Sequence, residues 1–414
     1  MKQEMGNTST DILVVGGGAA GLAAAYELSL AGKKVVLLEA QERLGGRIHT
    51  IVDPRFPQPV EGGAEFIHGK LPATIRLLQK AGIKYHDAAG KMWRVTKGRL
   101  QKSGEFIEGW NEVMKRLKEL TEDMTIEAFL QQYFGDEAHR ELRESVLRYA
   151  EGYDAADASK ASALSLRDEW ENDDDEHQGR IDSGYAALVD FLAEEISKRR
   201  GNIHRSHIVK EIHWEKGKAE AITADNIRFT AAKLLLTIPL GVWQAAPESP
   251  AALTFFPALS RKKEAAQKMG YGTVIKYQFQ FSEPFWEKDT PNKMKDAGFI
   301  LSDAEVPTWW TQNPRNNGLL TGWLAGPKAG AWKEAQESVL LQKGLESLAY
   351  IFGISADQLS EKITAHQISN WANNPFACGA YSYATLDTGW AKQVLLEPVE
   401  HTLFFAGEAL YEGT

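Results

Sequence analysis

Three glycines near the start of the chain have the spacing of a turn that binds a pyrophosphate. Gly16, Gly18 and Gly21 form a G-x-G-x-x-G pattern directly after the apolar run Ile12–Val15. In such a turn the first glycine permits a tight bend, the second lets the backbone approach the phosphates, and the third allows close helix–strand packing. Glu39 follows about 20 residues later, where a carboxylate can hydrogen-bond the ribose hydroxyls. The pattern therefore predicts a dinucleotide site, and an acid at this position disfavours the 2′-phosphate of NADP.

Two further glycine-containing segments bear on the choice between FAD and NAD. One is Arg43–Arg47, which contains Gly46, and the other is Glu61–Gly69, which contains Gly63. Glycines at these places let the backbone lie against a flat ring, and the Arg47 side chain can pair with a phosphate. These features favour FAD, whereas two tight turns with a surface arginine are the alternative interpretation.

The segments around the first glycine turn predict a βαβ unit that positions it. Ile12–Val15 is a short apolar strand, Leu22–Leu30 has helical spacing, Gly32 ends the helix, and Lys34–Leu38 is predicted to be a second strand. In this arrangement the N-terminus of the helix directs the positive end of its dipole at the phosphates.

Later segments alternate between helical and extended patterns. Amphipathic helices are predicted over Trp110–Leu120, Ile126–Tyr133, Glu137–Ala150 and Glu334–Tyr350. Strands are predicted over Ile208–Trp214, Ala219–Thr223, Lys233–Ile238 and Thr273–Phe281, the last of them half-buried because apolar and polar residues partly alternate. The predicted fold class is α/β. We assign residues 1–70, 180–255 and 370–414 to a discontinuous nucleotide-binding domain, and residues 71–179 and 256–369 to a second, substrate-binding domain.

Composition narrows the function classes. At 414 residues and 43% hydrophobic content, the chain can bury a large core. Its single cysteine, Cys378, excludes an internal disulfide and a multi-cysteine metal site, so we expect an organic redox cofactor and no metal. The net charge of −9 argues against non-specific nucleic-acid binding. Residues Met1–Thr10 lack the apolar core of a signal peptide, and no apolar run approaches the roughly 18 residues of a membrane span. We expect a soluble cytoplasmic protein, either a monomer or a homodimer.

Taken together, these motifs resemble those of the flavin amine oxidases, a family that includes monoamine oxidases, polyamine oxidases and lysine-specific histone demethylases. The resemblance runs from about Asp11 to the end of the chain and is looser through the helical middle. It rests on Val15–Gly21 with Glu39, Gly45–Arg47, Glu61–Gly69, Leu236–Gly241, Trp371 with Gly379–Tyr381, and Phe404–Glu408. The resemblance implies a Rossmann-like FAD-binding domain of the GR2 type with an interleaved α+β substrate-binding domain.

The same resemblance implies where FAD lies. It places Glu39 at the ribose, Ala20 and Arg47 at the diphosphate, Val209 at the adenine, Gly63 and Ala64 under the isoalloxazine ring, and Glu408 near the far phosphate and ribityl chain. Its further cofactor-binding residues are Gly16, Gly18, Gly21, Gly46, Glu65, Trp371 and Gly407. Ala380 stands where some monoamine oxidases carry a flavin-bonded cysteine, and Cys378 is two residues early, so the expected FAD is non-covalent.

Three residues are expected to act on the substrate or the flavin. By resemblance, Lys276 holds a water against flavin N5 and stabilises charge as electrons pass to oxygen; a strand lysine that reaches solvent is the alternative. Tyr381 matches one wall of an aromatic cage that aligns the substrate amine, or it packs in a core. His68 resembles a polyamine oxidase histidine that binds or deprotonates an amine, or it is structural.

Acidic residues have two interpretations as well. Glu65 faces a cationic substrate or forms a surface pair. The stretch Asp168–Glu176 steers polyamines to the site or forms a solvated loop.

The resemblance implies oxidation of the carbon–nitrogen bond of a small amine, a polyamine or a monoamine, with O2 as second substrate and hydrogen peroxide as product. Amino-acid oxidases and desaturases are the enzymatic alternative, and Lys276 argues against the desaturase-like branch. Family members continue beyond the Ala-Gly-Glu motif into a helix, whereas this chain stops at Thr414. A flavin-binding relative that does not turn over amines is therefore the alternative of a different class.

Overall fold

The computed structural model describes residues 10–69, 71–102, 107–172, 178–291, 293–315 and 317–411. Its strands in chain order are β1 Thr10–Val15, β2 Val35–Leu38, β3 Thr50–Ile51, β4 Val60–Glu61, β5 Phe66–His68, β6 Tyr85–Asp87, β7 Lys91–Thr96, β8 Arg99–Lys102, β9 Gln178–Ile181, β10 Asn202–His204, β11 Val209–Glu215, β12 Lys218–Thr223, β13 Arg228–Leu236, β14 Thr254–Phe256, β15 Gly270–Tyr271, β16 Val274–Phe281, β17 Ala297–Ser302, β18 Thr308–Thr311, β19 Leu319–Ala325, β20 Ile363–Asn370, β21 Ser382–Tyr383 and β22 Leu403–Phe405. Its α-helices are α1 Ala19–Leu30, α2 Pro72–Ala81, α3 Trp110–Lys118, α4 Ile126–Phe134, α5 Arg140–Gly152, α6 Ala163–Asn172, α7 Ala186–Lys198, α8 Leu240–Trp243, α9 Ser260–Lys268, α10 Gly326–Ala331, α11 Glu337–Phe352, α12 Ala356–Lys362 and α13 Thr388–Leu396.

The first sheet places the opening glycine turn at its carboxyl edge. Its strand order is β10-β2-β1-β13-β12-β11-β14, and β22 also pairs with β13. Strands β10, β2, β1, β13 and β22 run parallel, with Val15 opposite both Leu38 and Leu236. Their carboxyl ends therefore meet at one edge, where ligands bind in open α/β sheets. Gly16 follows β1 and Ala406 follows β22 at this edge, and the predicted α/β fold class is confirmed.

The second sheet carries Lys276 on an interior strand. Its strand order is β20-β16-β19-β18-β17-β7-β8, and Lys276 in β16 lies opposite Ser369 of β20 and Trp323 of β19. The prediction of a half-buried strand was wrong, because every residue of β16 is buried. Its polar face is covered by the end of β4 and the two residues after it. Gln278 donates to the carbonyl oxygen of Glu61, and Lys276 donates to the carbonyl oxygen of Gly63.

A small sheet with the order β5-β9-β6 joins these parts. Phe66 of β5 is paired with Arg180 of β9. Because Glu65 directly precedes β5, this pairing brings Glu65 and Arg180 together although 115 residues separate them.

Helices α3 to α6 form a separate layer around a shared apolar core that includes Val113, Phe129 and Val146. The predicted helix over Glu137–Ala150 begins later, at Arg140, because Asp136 caps a separate single turn over Glu137–His139. The interpretation of the acidic stretch as a loop was wrong for residues 168–172, which belong to α6; residues 173–177 lie outside the described part of the chain.

The two large sheets draw on alternating segments of the chain. The division into two domains at residues 71, 180, 256 and 370 stays a prediction. In the portion of the chain that the structure describes, no helix combines the length and apolar character needed to cross a membrane.

Candidate active site

A cavity of about 2390 Å³ is bounded by the carboxyl edge of the first sheet and by the second sheet. Its walls include Gly18 and Glu39 together with Lys276 and Tyr381. Pockets for one drug-sized ligand reach about 1,000 Å³. The volume is therefore sufficient for a dinucleotide and a further small molecule.

The first glycine turn has the geometry that close approach to a phosphate requires. A side chain at position 21 would place its Cβ atom 1.9 Å from the carbonyl oxygen of Gly16, so α1 can pack on β1 only when Gly21 is present. A Cβ atom at Gly18 would have the carbonyl oxygen of Gly45, 4.0 Å away, as its nearest neighbour, and Gly18 lines the cavity. The Gly18 backbone and the N-terminus of α1 are therefore open to an anionic ligand.

Glu39 ties the end of β2 to this turn. Its carboxylate accepts hydrogen bonds from the backbone N–H groups of Gly17 at 2.7 Å and Gln41 at 2.8 Å. The side chain is buried, and this burial raises the pKa of Glu39 in spite of the two bonds. A carboxylate oxygen has lone pairs for more than one donor, so Glu39 retains capacity for ribose hydroxyls.

The second glycine turn is held by Arg43, a residue to which no sequence pattern assigned a role. Its guanidinium donates to the carbonyl oxygens of Gly46 at 2.8 Å and Ile48 at 3.0 Å. Gly46 has a φ of 59°, which glycine adopts without a steric penalty. An arginine just before a glycine pair is a signal that could have identified this role, because the carbonyl groups of a tight turn need donors.

Arg47 connects this turn with two distant segments. One guanidinium nitrogen, Nη1, donates to the carbonyl oxygen of Ala380 at 2.6 Å and to Glu408 Oε2 at 2.8 Å. The other Glu408 oxygen accepts from the backbone N–H and the hydroxyl of Ser382 at 2.9 and 2.6 Å. Arginine carries five N–H donors, so Arg47 can hold this network and still donate to a phosphate.

Lys276 is 1% exposed and forms a buried ion pair. Its ammonium donates to Glu65 Oε2 at 2.8 Å and to the carbonyl oxygen of Gly63 at 2.9 Å. The alternative of a strand lysine that reaches solvent is therefore wrong. An ammonium has three N–H donors, and Lys276 also lines the cavity, so one donor remains for a ligand or a water.

Glu65 is the acceptor at the centre of this cluster. Its second oxygen, Oε1, accepts from Arg180 at 3.1 Å, Trp310 at 3.0 Å and Gln312 at 3.1 Å. Burial opposes ionisation of Glu65, but Lys276 and Arg180 outweigh it and lower the pKa of the carboxyl to about 2. The interpretation of Glu65 as a surface pair was wrong, because both partners of the pair with Arg180 are buried.

Tyr381 presents an aromatic ring at the cavity wall. Its hydroxyl donates to the carbonyl oxygen of Tyr153, and its ring lies nearly parallel to that of Trp323, at 16° and 6.4 Å between centroids. Both rings line the cavity, so core packing alone does not describe Tyr381. Burial, together with the carboxylates of Asp154 and Glu169, raises the pKa of Tyr381 well above its ordinary value.

The sequence profile of a family described as flavin-containing amine oxidoreductase matches residues 19–414. The chain belongs to this family. It is 26% identical over 435 residues to lysine-specific histone demethylase 2 of Homo sapiens, with 96% of this chain and 50% of that protein covered. It is 27% identical over 442 residues to polyamine oxidase 3 of Oryza sativa subsp. japonica, with 97% of this chain and 85% of that protein covered. The chain spans about half the length of the histone demethylases that it matches.

Cyclohexylamine oxidase from Brevibacterium oxydans IH-35A is a solved structure with the same fold. The two chains align with a TM-score of 0.80 at 18% identity, over 97% of this chain and 94% of that chain. The expected family, the FAD-binding architecture with its interleaved substrate-binding domain, and the flavin cofactor are confirmed.

The residues that line the cavity fit FAD. The cavity lies against backbone at Gly18 and at Gly407, where an added Cβ atom would meet nothing closer than 4.0 Å. Trp371 donates from its indole to the carbonyl oxygen of Gly62 at 2.8 Å, which holds the chain beside Gly63. A Cβ atom at Gly63 would lie 1.9 Å from the carbonyl oxygen of Arg47. The segment around Gly63 therefore packs directly on the second glycine turn along the cavity.

The structure brings together almost all of the predicted site residues. Those that line the cavity are Gly16, Gly18, Ala20, Glu39, Gly46, Arg47, Gly63, Ala64, Glu65, His68, Val209, Lys276, Trp371, Tyr381, Gly407 and Glu408. Gly21 does not line it and serves the packing of α1. His68 is exposed, with its ring edge-on to Phe66 at 5.8 Å. Cys378 does not line the cavity.

Sequence patterns missed several residues of the site. Arg180, Trp310 and Gln312 hold Glu65, and Trp323 faces Tyr381. They carry no motif that connects them with the glycine turns. Only the pairing of β5 with β9 and the order of the second sheet bring the first three to Glu65 and Trp323 to Tyr381.

Proposed function

We propose that this protein oxidises the carbon–nitrogen bond of a small cationic amine, with non-covalent FAD as cofactor and O2 as electron acceptor. The observation that carries the proposal is that Lys276 and Tyr381 line the same cavity as the glycine turn at Gly18. Phosphate-binding backbone, a buried ammonium and an aromatic face are thereby combined in one site.

FAD, when bound, supplies the acceptor for the hydride that leaves the α-carbon of the amine. The amine becomes an imine, which takes up water and releases a carbonyl compound and the nitrogen as ammonia or a smaller amine. O2 takes up the two electrons with two protons and leaves as hydrogen peroxide.

The residues of this chain bind and orient the reactants. The Tyr381 ring attracts a cation through its π face, and the carboxylates of Asp154 and Glu169, whose charges act on Tyr381, favour cationic substrates. The third N–H of Lys276 holds a water, and its positive charge stabilises negative charge that develops on oxygen. Polyamines and primary monoamines are the leading substrates.

Anaerobic mixing of the yellow holoprotein with putrescine, spermidine, benzylamine and lysine tests the proposal. We expect the oxidised flavin band to bleach with at least one of the first three amines, and peroxide to appear once O2 is admitted. A band that every amine leaves unchanged would overturn the proposed activity and support a flavin-binding protein without amine turnover.

The role of Lys276 is tested by Lys276→Met with a second buried lysine as the matched control. Loss of one preorganised electrostatic donor typically slows a step about 100-fold or more, so flavin reoxidation by O2 should slow by this amount while reduction changes little. Lys262 is also buried, but its ammonium donates hydrogen bonds to the carbonyl oxygens of Val394 and Leu395 at 2.7 and 3.0 Å. Lys262→Met should therefore leave the ratio of the two rates unchanged, and equal slowing of both steps in Lys276→Met would refute its role.

A further inference from the structure

We propose that Glu65 is a positioning residue that fixes the direction of the Lys276 ammonium and balances its charge beside the flavin. The inference rests on the proposed function, since it assigns Glu65 a part in the flavin chemistry through Lys276. The resemblance placed Glu65 among the cofactor-binding residues, but it assigned the carboxylate no action on Lys276.

The Glu65 carboxylate is held so that it cannot turn. Oε1 accepts hydrogen bonds from three side chains. Arg180 lies in β9, Trp310 lies in β18, and Gln312 directly follows β18. Oε2 receives the ammonium of Lys276 from β16. Donors from two sheets surround one carboxylate, so its orientation is defined by the tertiary structure and not by the local chain.

The Lys276 ammonium takes its direction from this arrangement. Two of its three N–H groups are used by Glu65 and by the carbonyl oxygen of Gly63. With two N–H directions defined, tetrahedral geometry defines the third, and Lys276 lines the cavity. The indole of Trp310 lies under the ammonium at 5.5 Å from the ring centroid, which limits movement to that side.

Glu65 also balances the charge of two buried cations. Lys276 and Arg180 are 1% and 5% exposed, and both are cations. A buried cation whose partner is removed is strongly unfavourable. The ionised state of Glu65, whose pKa these two cations lower to about 2, keeps the cluster at one net positive charge near neutral pH instead of two.

A purely structural role is the competing explanation. Arg180 donates to Glu65 and also to the carbonyl oxygens of Thr311 and Asn313 at 2.9 and 3.2 Å, so the cluster joins β9 to the second sheet. If connecting β9 with the second sheet were the whole function of Glu65, its loss would lower the free energy of unfolding without a specific change in the midpoint potential or the reoxidation rate of the flavin.

The test compares Glu65→Gln with Glu61→Gln in holoprotein. Glu61 is a nearby carboxylate that accepts hydrogen bonds from Thr50 and the Tyr185 N–H. The Lys276 ammonium donates to Gly63 and Glu65 instead, and it acts on Glu61 only through its charge. The midpoint potential of FAD is measured against a redox dye with a chemical reductant and without any amine. Glu65→Gln should shift the equilibrium at least tenfold toward reduced flavin, about 30 mV for a two-electron couple, and Glu61→Gln should shift it less.

A second measurement asks whether Glu65 acts through Lys276. Chemically reduced flavin is mixed with O2 in the single variants and in the Glu65→Gln/Lys276→Met double variant. Glu65→Gln should slow reoxidation at least tenfold alone and have no further effect beside Lys276→Met. Equal potential shifts for Glu65→Gln and Glu61→Gln, or equal slowing in both backgrounds, would overturn the proposal.

Glu65→Asp covers the case in which Glu65→Gln does not fold or retain FAD. Aspartate keeps the charge but is one methylene shorter, so it should keep the potential near that of the original protein while it slows reoxidation. Unchanged reoxidation in Glu65→Asp would also overturn the proposal. Because these readouts need no amine, they stand even if no amine reduces the flavin, so failure of the proposed function is distinguished from failure of this inference.

Discussion

Two alanine substitutions in the same turn, Gly18→Ala and Gly21→Ala, should have opposite consequences. Position 18 is extended, with φ of −77° and ψ of −176°, which any residue can adopt, and an added Cβ atom has no neighbour within 3.9 Å. Position 21 is inside α1, where the Cβ atom would lie 1.9 Å from the Gly16 carbonyl oxygen and 2.7 Å from Thr237 Oγ1. The first change therefore affects the cavity, and the second affects the fold.

For Gly18→Ala the apoprotein should keep its stability. Alanine restricts the backbone of the unfolded chain, which stabilises the folded protein by about 0.4–1 kcal/mol. Alanine is also a poorer N-cap than glycine, which destabilises α1 by a similar amount, so the two effects cancel. The methyl group, however, occupies the space in which the diphosphate would approach the backbone. Overpacking typically costs about 1–3 kcal/mol, which corresponds to roughly 5- to 150-fold weaker FAD binding at 1.4 kcal/mol per tenfold.

For Gly21→Ala the apoprotein itself should be destabilised by at least about 3 kcal/mol, because two of the obstructing atoms belong to the Gly16 backbone and cannot rotate away. The hydrogen bond from the Thr237 hydroxyl to the Gly16 carbonyl oxygen, 3.0 Å in the structure, would be disturbed as well. Weak FAD binding in this variant is then a consequence of the damaged turn.

The assay prepares both apoproteins, follows urea unfolding by tryptophan fluorescence, and titrates FAD by the quenching of flavin fluorescence. Gly18→Ala should unfold at the midpoint of the original apoprotein and bind FAD more weakly, and Gly21→Ala should unfold earlier without FAD. An unchanged FAD dissociation constant in Gly18→Ala would refute the placement of the diphosphate at Gly18. An unchanged unfolding midpoint in Gly21→Ala would refute the close contact of α1 with β1.

Two further predictions concern the pH dependence of stability and the aromatic wall. The pKa of Glu65 is lowered from 4.5 to about 2 in the folded protein, so its stabilisation is complete above pH 4.5 and is lost as the pH falls toward 2. The stabilisation from this pKa shift amounts to about 3 kcal/mol. In urea unfolding between pH 6 and 3, the free energy of unfolding should therefore fall more steeply with pH in the original protein than in Glu65→Gln; equal slopes in the two proteins would contradict the prediction. Tyr381→Ala should lower kcat/KM for the best amine by about 2- to 30-fold through loss of the cation–π contact. Tyr381→Phe, which keeps the ring and loses only the bond to Tyr153, should lower it less, and equal losses in steady-state assays would contradict the role of the ring.

The glycine turn and its flanking βαβ unit were predictable because their interactions are local. The N–H of Gly17 finds the Glu39 carboxylate only 22 residues away, and the strand, helix and turn between them follow from short-range patterns. Family resemblance extended the prediction to Lys276 and Tyr381, which the structure places at the same cavity.

The half-buried interpretation of β16 was wrong for a reason that a local pattern does not contain. Alternating polar residues normally indicate a face in water, but here the end of β4 and the two residues after it cover that face and accept hydrogen bonds from Gln278 and Lys276. The polar and apolar residues of β16 do alternate, but backbone carbonyl groups instead of water accept hydrogen bonds from the polar side chains.

By itself, the amino-acid sequence determined the opening glycine turn and the α/β class, since both depend on residue type and short spacing. Lys276 was singled out by the family resemblance, and its burial was not predictable from the local pattern. Only the tertiary structure decided that Glu65 accepts hydrogen bonds from Lys276, 211 residues away, and from Arg180, 115 residues away. It also decided that the ring of Trp323 faces that of Tyr381. Such contacts depend on which strands pair and in which register, a property of the whole chain, because each pairing is stabilised by burial that only the assembled sheets provide.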